Sequence, residues 1–325
     1  MTTLLTGGAG YIGSQVLLEL IEEGEKIVVL DNLSTGYRAA VPDQVKFVHG
    51  EVANKRLVTS VIRECDVDSI MHFAGSLKVF ESVTDPLTYY RNNTAASLAL
   101  IECVLENGID KFIFSSTAAV YGGPPAGLIF EDAQLKPITP YGASKLATET
   151  ILRDCAHAYN LRSVILHYFN VAGADPGGRS GSRSHDATHL IRVACQTALG
   201  LRPFMEIYGT DYLTADGTCI RDYIHVTDLA RAHVAALSYL RRGGAFDVFN
   251  CGYGRGYSVL EVIAATKHIA AVDFEVRLTG RRPGDPAELV AGTARIGEKL
   301  NWRPAFARLD TILDHALSWE KTLTR

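Results

Sequence analysis

The first thirteen residues restrict the fold more than any other stretch. Thr2–Thr6 is a short apolar strand that runs straight into Gly7-Gly8-Ala9-Gly10-Tyr11-Ile12-Gly13, and a helical run from Ser14 to Glu23 follows. A strand that turns through glycines into a helix offers backbone N–H groups and the positive end of the helix to a diphosphate, which is how a dinucleotide-binding sheet begins. Gly7 is expected to make the tight turn, Gly10 to let the backbone approach a pyrophosphate, and Gly13 to allow close helix packing, in the spacing G-x-x-G-x-x-G. The next strand, Lys26–Leu30, ends at Asp31, placed to accept hydrogen bonds from an adenosine ribose. That charge repels a 2′-phosphate, and no arginine follows before Arg38, so NAD is expected over NADP.

Further strands fall at Val45–His49, Ser69–Phe73, Lys111–Ser115 and Ser163–His167, separated by helical stretches at about 53–65, 86–107 and 139–160. Strands alternating with helices argue for an α/β fold, a Rossmann-type doubly wound parallel sheet. Such sheets bind ligands beyond the carboxyl ends of their strands, so Phe73-Ala74-Gly75 and Ser115-Ser116-Thr117 should border the cofactor. After Tyr168-Phe169-Asn170 the rhythm becomes irregular. Helices near 187–200 and 226–240 and strands near Asp247–Asn250 and Phe274–Leu278 then appear without a second glycine fingerprint. The expected division is a dinucleotide-binding domain of residues 1–171 plus 222–252, and a smaller interleaved α+β substrate domain of 172–221 plus 253–325. Pro176–Ser184, rich in Gly, Arg and Ser, is expected to be a long mobile loop.

The chemistry is expected at Thr139-Pro140-Tyr141-Gly142-Ala143-Ser144-Lys145. Thr139 is a plausible N-cap and Pro140 a first helical residue, which puts Tyr141 and Lys145 on one helix face. The stripe Ala147, Ile151, Cys155 and Ala158 is expected to pack, leaving the Tyr141, Lys145 and Thr148 face free. A phenol titrating near 10 is a poor base at neutral pH; reaching about 7 requires roughly 4 kcal/mol of preferential stabilisation of the phenolate. A neighbouring ammonium acts in that direction. Such a pair could take a hydroxyl proton while a nicotinamide takes hydride from the same carbon, and the Thr117 hydroxyl is placed to share that proton.

A net charge of −4 gives no electrostatic reason to expect nucleic acid or an anionic membrane as partner. Phosphate recognition would therefore be local, and Arg221 and the turn Arg281-Arg282-Pro283-Gly284-Asp285 offer it, with Arg281 expected in a surface salt bridge. The six cysteines are widely spread with no Cys-x-x-Cys pair, and there is neither an apolar run long enough for a membrane span nor a charged-then-apolar leader; the expected compartment is the cytoplasm. The ten histidines show no ligand-like clustering, so no metal is expected.

With the glycine turn, Asp31-Asn32-Leu33, Phe114-Ser115-Ser116-Thr117, Tyr141-x-x-x-Lys145, Tyr168-Phe169-Asn170 and Gly217-Thr218-Cys219-Ile220-Arg221-Asp222-Tyr223-Ile224-His225-Val226 in place, the chain resembles the extended short-chain dehydrogenase/reductase family from Thr2 to about Trp319. The Arg-Asp-Tyr-Ile-His-Val segment and Arg-Arg-x-Gly-Asp narrow the resemblance to nucleotide-sugar enzymes, and their order points to C4 epimerases. The resemblance implies a tightly held NAD, reduced and reoxidised in each turnover, and UDP-glucose and UDP-galactose as substrates. Tyr141 would remove the 4-OH proton, Lys145 would lower the tyrosine pKa and bind the nicotinamide ribose, and Thr117 would meet the 4-OH. NAD would be contacted by Gly7, Gly10, Tyr11, Ile12, Gly13, Asp31, Asn32, Glu51, Val52, Phe73, Ala74, Gly75, Asn92, Ser115, Tyr141, Lys145 and Phe169. Thr117, Tyr141, Asn170, His189, Leu190, Tyr208, Arg221, Arg282 and Asp285 would hold the UDP-sugar, with Tyr208 against uracil. Homodimers joined through 86–107 and 139–160 are also implied.

Some positions depart from the family pattern. Glu51 replaces an Asp, Leu77 a lysine near the cofactor, His189 an Asn and Arg183 a Glu, while Leu289 stands where some members carry Tyr in the sugar pocket. The bulk of Leu289 favours the plain hexoses over N-acetyl forms. A 4,6-dehydratase needs an acid and a base beside the threonine, and Ala118-Ala119-Val120 supplies neither. Pentose and N-acetylhexosamine 4-epimerases stay open, because only pocket size separates them. A non-catalytic NAD(P)-binding sensor would have no use for Tyr141, Lys145 and Thr117 together.

Overall fold

The computed structural model describes residues 1–124, 126–184, 187–282 and 284–324; Pro283, in the arginine turn, lies outside the described residues. Seven strands form one sheet in the order Asp247–Cys251, Arg162–Tyr168, Lys111–Ser115, Val67–His72, Thr2–Thr6, Lys26–Asp31, Lys46–His49, every pair parallel. Both faces of this sheet are covered, so its strands are apolar almost throughout, and alternate residues feed opposite cores. Leu5, Met71, Ile113, Val164 and Leu166 pack with Val16, Leu17 and Leu20 of helix Tyr11–Glu22 and Leu229 and Leu237 of helix Val226–Arg241. Leu4, Ile70, Phe112, Phe114 and Ile165 pack on the other side with Val58, Ile62, Leu100, Val104 and Leu152. The order of connection reverses between Thr2–Thr6 and Val67–His72, which opens a crevice at their carboxyl ends.

Boundaries expected from sequence lie within two or three residues of these strands. The helix expected over 86–107 is broken into Pro86–Tyr89, a π-helical stretch Tyr90–Ala95 and Ala96–Glu106. A π turn carries an extra residue, and here it lets two consecutive asparagines face the same loop. Asn92 Nδ2 donates to Ser76 Oγ at 2.9 Å, while Asn93 accepts from Ser76 N at 2.7 Å and donates to Ser76 O at 3.1 Å.

Outside the main sheet, strand Ile220–His225 is the hub. It pairs antiparallel with Gly256–Ser258 and parallel with Glu288–Ala291 and Asn170–Ala172. Met205–Tyr208 and Val276–Thr279 form a separate parallel pair. The buried Asp222 carboxylate joins these pieces by accepting from the backbone N–H groups of Tyr253, Gly254 and Ala291 at 2.9 to 3.2 Å. Asp222→Ala leaves three donors without an acceptor and is expected to lower stability by about 3 kcal/mol, read as a lower urea midpoint at unchanged slope.

Pro176–Ser184, expected to be mobile, is anchored at several points. Arg179 bonds Asp175 and Glu22, Ser180 Oγ lies 2.7 Å from Ser14 Oγ, and Ser182 O accepts from Trp319 Nε1 at 2.8 Å. The guanidinium of Arg183 stacks on the Trp319 ring at 5.0 Å, which gives that unexpected residue a packing role. Composition alone suggested a free loop because glycine and serine say nothing about which distant side chains they will meet.

Candidate active site

Gly7 has φ +73°, and a Cβ there would lie 2.5 Å from Ala74 N, so the turn abuts the end of the neighbouring strand. A Cβ on Gly13 would lie 2.3 Å from Gly7 O, while one on Gly10 would meet the same oxygen at 3.3 Å. Helix Tyr11–Glu22 starts with Gly10 as N-cap and no side-chain cap, which leaves its first N–H groups facing the crevice. Asp31 is buried, and its carboxylate accepts from Ala9 N at 2.9 Å and Leu33 N at 2.8 Å. Beside it Asn32 donates to Glu51 Oε1 at 3.0 Å, and Val52 is buried. A glycine cradle that any Cβ would fill, an uncapped helix end and a carboxylate at the next strand end together fit a dinucleotide such as NAD.

Not every residue expected at the cofactor points only there. The Tyr11 hydroxyl donates to Gly173 O at 2.6 Å, and Tyr11 lines a cavity with Asn170, His189 and Leu190. The glycine turn and three of the expected substrate residues thus border one cavity. Ile12 and Phe73 pack at the edge of the first core.

Helix Pro140–Tyr159 has the expected start, with Thr139 Oγ1 accepting from Gly142 N at 3.3 Å and Pro140 at the first position. The packing faces are the reverse of the expected ones. Tyr141, Lys145, Thr148 and Leu152 are buried, whereas Ala147, Ile151 and Cys155 are only half-buried and Ala158 is exposed. The chemical face is the one turned inward, because Ser144 and Thr148 hydrogen-bond the π stretch through Asn93. Gly142 permits the approach on the other side, since a Cβ there would lie 2.6 Å from Ala119 O. That contact brings Thr117, Tyr141 and Lys145 together.

Lys145 Nζ donates to Ser115 O at 3.0 Å and sits over the Phe114 ring at 4.8 Å. Burial pushes its ammonium down to about 8, with Glu149 pulling the other way, so the group is still largely charged at pH 7. Burial pushes the Tyr141 phenol up, against hydrogen bonds from Thr117 and Tyr168 that favour the phenolate. Burial is the larger of these influences on the phenol. Tyr89 packs edge-on against Tyr141 with centroids 6.3 Å apart, and its hydroxyl lies 2.5 Å from Lys78 O and 2.9 Å from Glu81 Oε2. Tyr168, Tyr89 and Asn93 were not assigned roles from sequence. Two adjacent asparagines before a helix were the only signal, and nothing local revealed the π turn.

On the substrate side, Arg221 Nη2 lies 3.3 Å from Asp285 Oδ1, and the Arg282 guanidinium covers the Tyr208 ring at 3.5 Å. The aromatic face expected to meet a base is thus stacked on one of the two arginines. Arg281 pairs with Asp211 at 2.7 Å in the exposed salt bridge expected of it. Leu289 packs with Phe169, Ala118 and Ile129 beside the Thr117 turn.

Three buried histidines surround the sheet ends and stay neutral. Burial and, secondarily, Lys145 hold His72 down at about 3; burial holds His233 at about 4; burial with His315 and Arg231 holds His225 at about 3. Each binds its proton near 6.5 once unfolded, so the stabilisation is complete above that pH and is lost as pH falls toward the folded values. Each group then costs about 1.4 kcal/mol per pH unit. The thermal midpoint is expected to fall steeply between pH 6.5 and 4, and a flat midpoint across that window would contradict the assignment.

A parallel sheet of this order, with a hydroxyl, a phenol and an ammonium gathered at its strand ends beside a dinucleotide cradle, defines the extended short-chain dehydrogenase/reductase class. Comparison with known proteins narrows this further. Residues 3–252 match the model of the NAD dependent epimerase/dehydratase family, and the chain belongs to that family. It is 58% identical over 320 residues to the UDP-glucose 4-epimerase of Azospirillum brasilense, covering 98% of this chain and 92% of that protein. A crystal structure of UDP-glucose 4-epimerase from Brucella ovis in complex with NAD is similar with a TM-score of 0.94 at 42% identity, covering 98% of this chain and 97% of that one. One from Bifidobacterium longum in complex with NAD+ and UDP is similar with a TM-score of 0.93 at 35% identity, covering 99% and 98%.

Proposed function

We propose that the chain interconverts UDP-galactose and UDP-glucose by reversible epimerisation at C4 through a 4-keto sugar. The observation that carries this reading is the contact of Thr117 with Tyr141 next to the buried, charged Lys145. NAD, when bound, would supply a hydride acceptor for C4 and a positive charge. Gly7, Gly10, Gly13, Asp31 and the end of strand Val67–His72 would hold it, with Tyr11, Ile12, Asn32, Glu51, Val52, Phe73, Ala74, Gly75, Asn92, Ser115 and Phe169 contributing.

Thr117 orients the sugar 4-OH, Tyr141 takes its proton, and Lys145 holds the phenolate charge from below. The proton returns from Tyr141 once the keto sugar has turned its other face. Arg221 and Arg282 grip the diphosphate, with Asp285 aligning Arg221. Asn170, His189 and Leu190 line the sugar side, and Tyr208 receives uracil when Arg282 leaves its ring. The family and the relatives named above support this reading. Its test is incubation of purified protein with UDP-galactose without added NAD. UDP-glucose should form catalytically, and its absence from protein shown to carry NAD would overturn the reading.

The same reading assigns residues 1–171 plus 222–252 to the cofactor domain and 172–221 plus 253–325 to the substrate domain. It also makes the enzyme a homodimer through the helices over 86–107 and 139–160, whose outer faces expose Leu87, Leu98 and Tyr159. The cysteines are free thiols, which favours a reducing compartment, the cytoplasm.

A further inference from the structure

Beneath Lys145, one helical turn deeper, lies a polar cluster that the proposed chemistry does not use. Glu149 is fully buried; its Oε1 accepts from Ser116 Oγ and lies 2.9 Å from His167 Nε2, while its Oε2 has no hydrogen-bond partner among the described residues. His167 Nδ1 is 2.8 Å from the Tyr121 hydroxyl, which is 2.8 Å from Asn250 Oδ1. Asn250 Nδ2 donates to Ile129 O at 2.8 Å and reaches Gly292 O at 3.4 Å. Those two carbonyls fix the amide, because turning it over would aim Oδ1 at both of them.

The protons can then be counted. Asn250 Oδ1 only accepts, so the single Tyr121 hydrogen goes to it. His167 Nδ1 must therefore carry a hydrogen for the Tyr121 oxygen. That leaves Nε2 and Glu149 Oε1 at hydrogen-bond distance with one more proton between them, since two bare lone pairs repel. On nitrogen the proton makes an imidazolium beside a carboxylate; on oxygen it makes an imidazole beside a carboxylic acid. Both states have zero net charge.

We propose that His167 and Glu149 form a charge-neutral pair beneath Lys145, and that His167 thereby keeps Glu149 from cancelling the lysine charge that acts on Tyr141. His167 is a positioning residue in this scheme. Lys145 spends a hydrogen bond on Ser115 O rather than on the carboxylate four residues along its own helix. From other elements the cluster is faced by Tyr121 and Ser116, and beyond Asn250 by Glu131, whose Oε1 accepts from Asn250 N at 2.8 Å, with exposed Asp132 next to it. Those two carboxylates act on Tyr121, whereas among the described residues Glu149, the group His167 neutralises, is the negative charge that acts on Lys145. The proposal rests on Tyr141 as the base.

The test uses NAD-loaded protein and two readouts, the pH at which turnover reaches half its maximum on the rising limb and the near-ultraviolet titration of the phenolate. His167→Gln cannot hold the extra proton, so both midpoints should rise by about one pH unit, a roughly tenfold loss of rate on that limb. His167→Gln with Glu149→Gln removes the stranded charge and should bring both midpoints back. Midpoints that stay put in His167→Gln, or fail to return in the double variant, overturn the proposal. Should His167→Gln not fold, Glu149→Gln decides alone: the midpoints hold if the pair is neutral and fall by about one unit if it carries a negative charge, which overturns the proposal. Near-normal turnover by Tyr141→Phe would instead sink the underlying reading, so the two failures are distinguishable.

Discussion

Tyr141→Phe is expected to lower turnover at least about 100-fold while the protein keeps its NAD and its thermal midpoint. The substitution removes one oxygen from a ring held by edge-on packing against Tyr89 and by the helix itself, so the fold loses little. What it removes is the ionisable hydroxyl that Thr117 bonds at this strand end, and proton transfer by a positioned side chain contributes about 10²- to 10⁴-fold to a rate. Burial raises the phenol while the bonds from Thr117 and Tyr168 favour its charged form, and positive charge from Lys145 and, when NAD is bound, from the nicotinamide would favour that form further. Wild-type rate should therefore rise with pH through the range where Tyr141 ionises in the loaded protein. Turnover of Tyr141→Phe within a few-fold of wild type, measured on UDP-galactose, would remove this residue from the base role.

Gly13→Ala should have the second large effect, on a different property. The added methyl would lie 2.3 Å from Gly7 O and 2.8 Å from Gly8 Cα, both backbone atoms of the cradle, so the helix must move away from the strand end. Overpacking of this kind costs about 1–3 kcal/mol in stability. The cofactor site suffers more, because the helix N-terminus is displaced from the diphosphate. Bound NAD, assayed after denaturing the purified protein, is expected to drop from near one per chain to under about one tenth. Retention of a full equivalent would mean that the close approach at Gly13 is not needed. The acid-stability and Asp222→Ala outcomes described above concern the fold alone and leave the base assignment untouched.

Much of this architecture was legible in order along the chain. Strand, glycine turn, helix and strand-ending Asp31 are local signals, set by backbone sterics and by burial on both faces of a parallel sheet. The helix start at Thr139-Pro140 was legible for the same reason. The short strands Asn170–Ala172, Ile220–His225, Gly256–Ser258 and Glu288–Ala291 were not. They are three to six residues long, mix polar or charged with apolar side chains, and pair through Ile220–His225, whose partners are far away in sequence.

By itself the sequence determined the parallel sheet, the dinucleotide turn, the choice of Asp31 over a phosphate-binding arginine, and which tyrosine and lysine share a helix turn. Those features depend on neighbours a few residues apart. Only the tertiary structure decided which face of helix Pro140–Tyr159 is buried, that burial pushes the Tyr141 phenol up, and that Glu149 meets His167 beneath Lys145. Desolvation and charge balance are sums over everything packed around a group, and no stretch of chain contains its own surroundings.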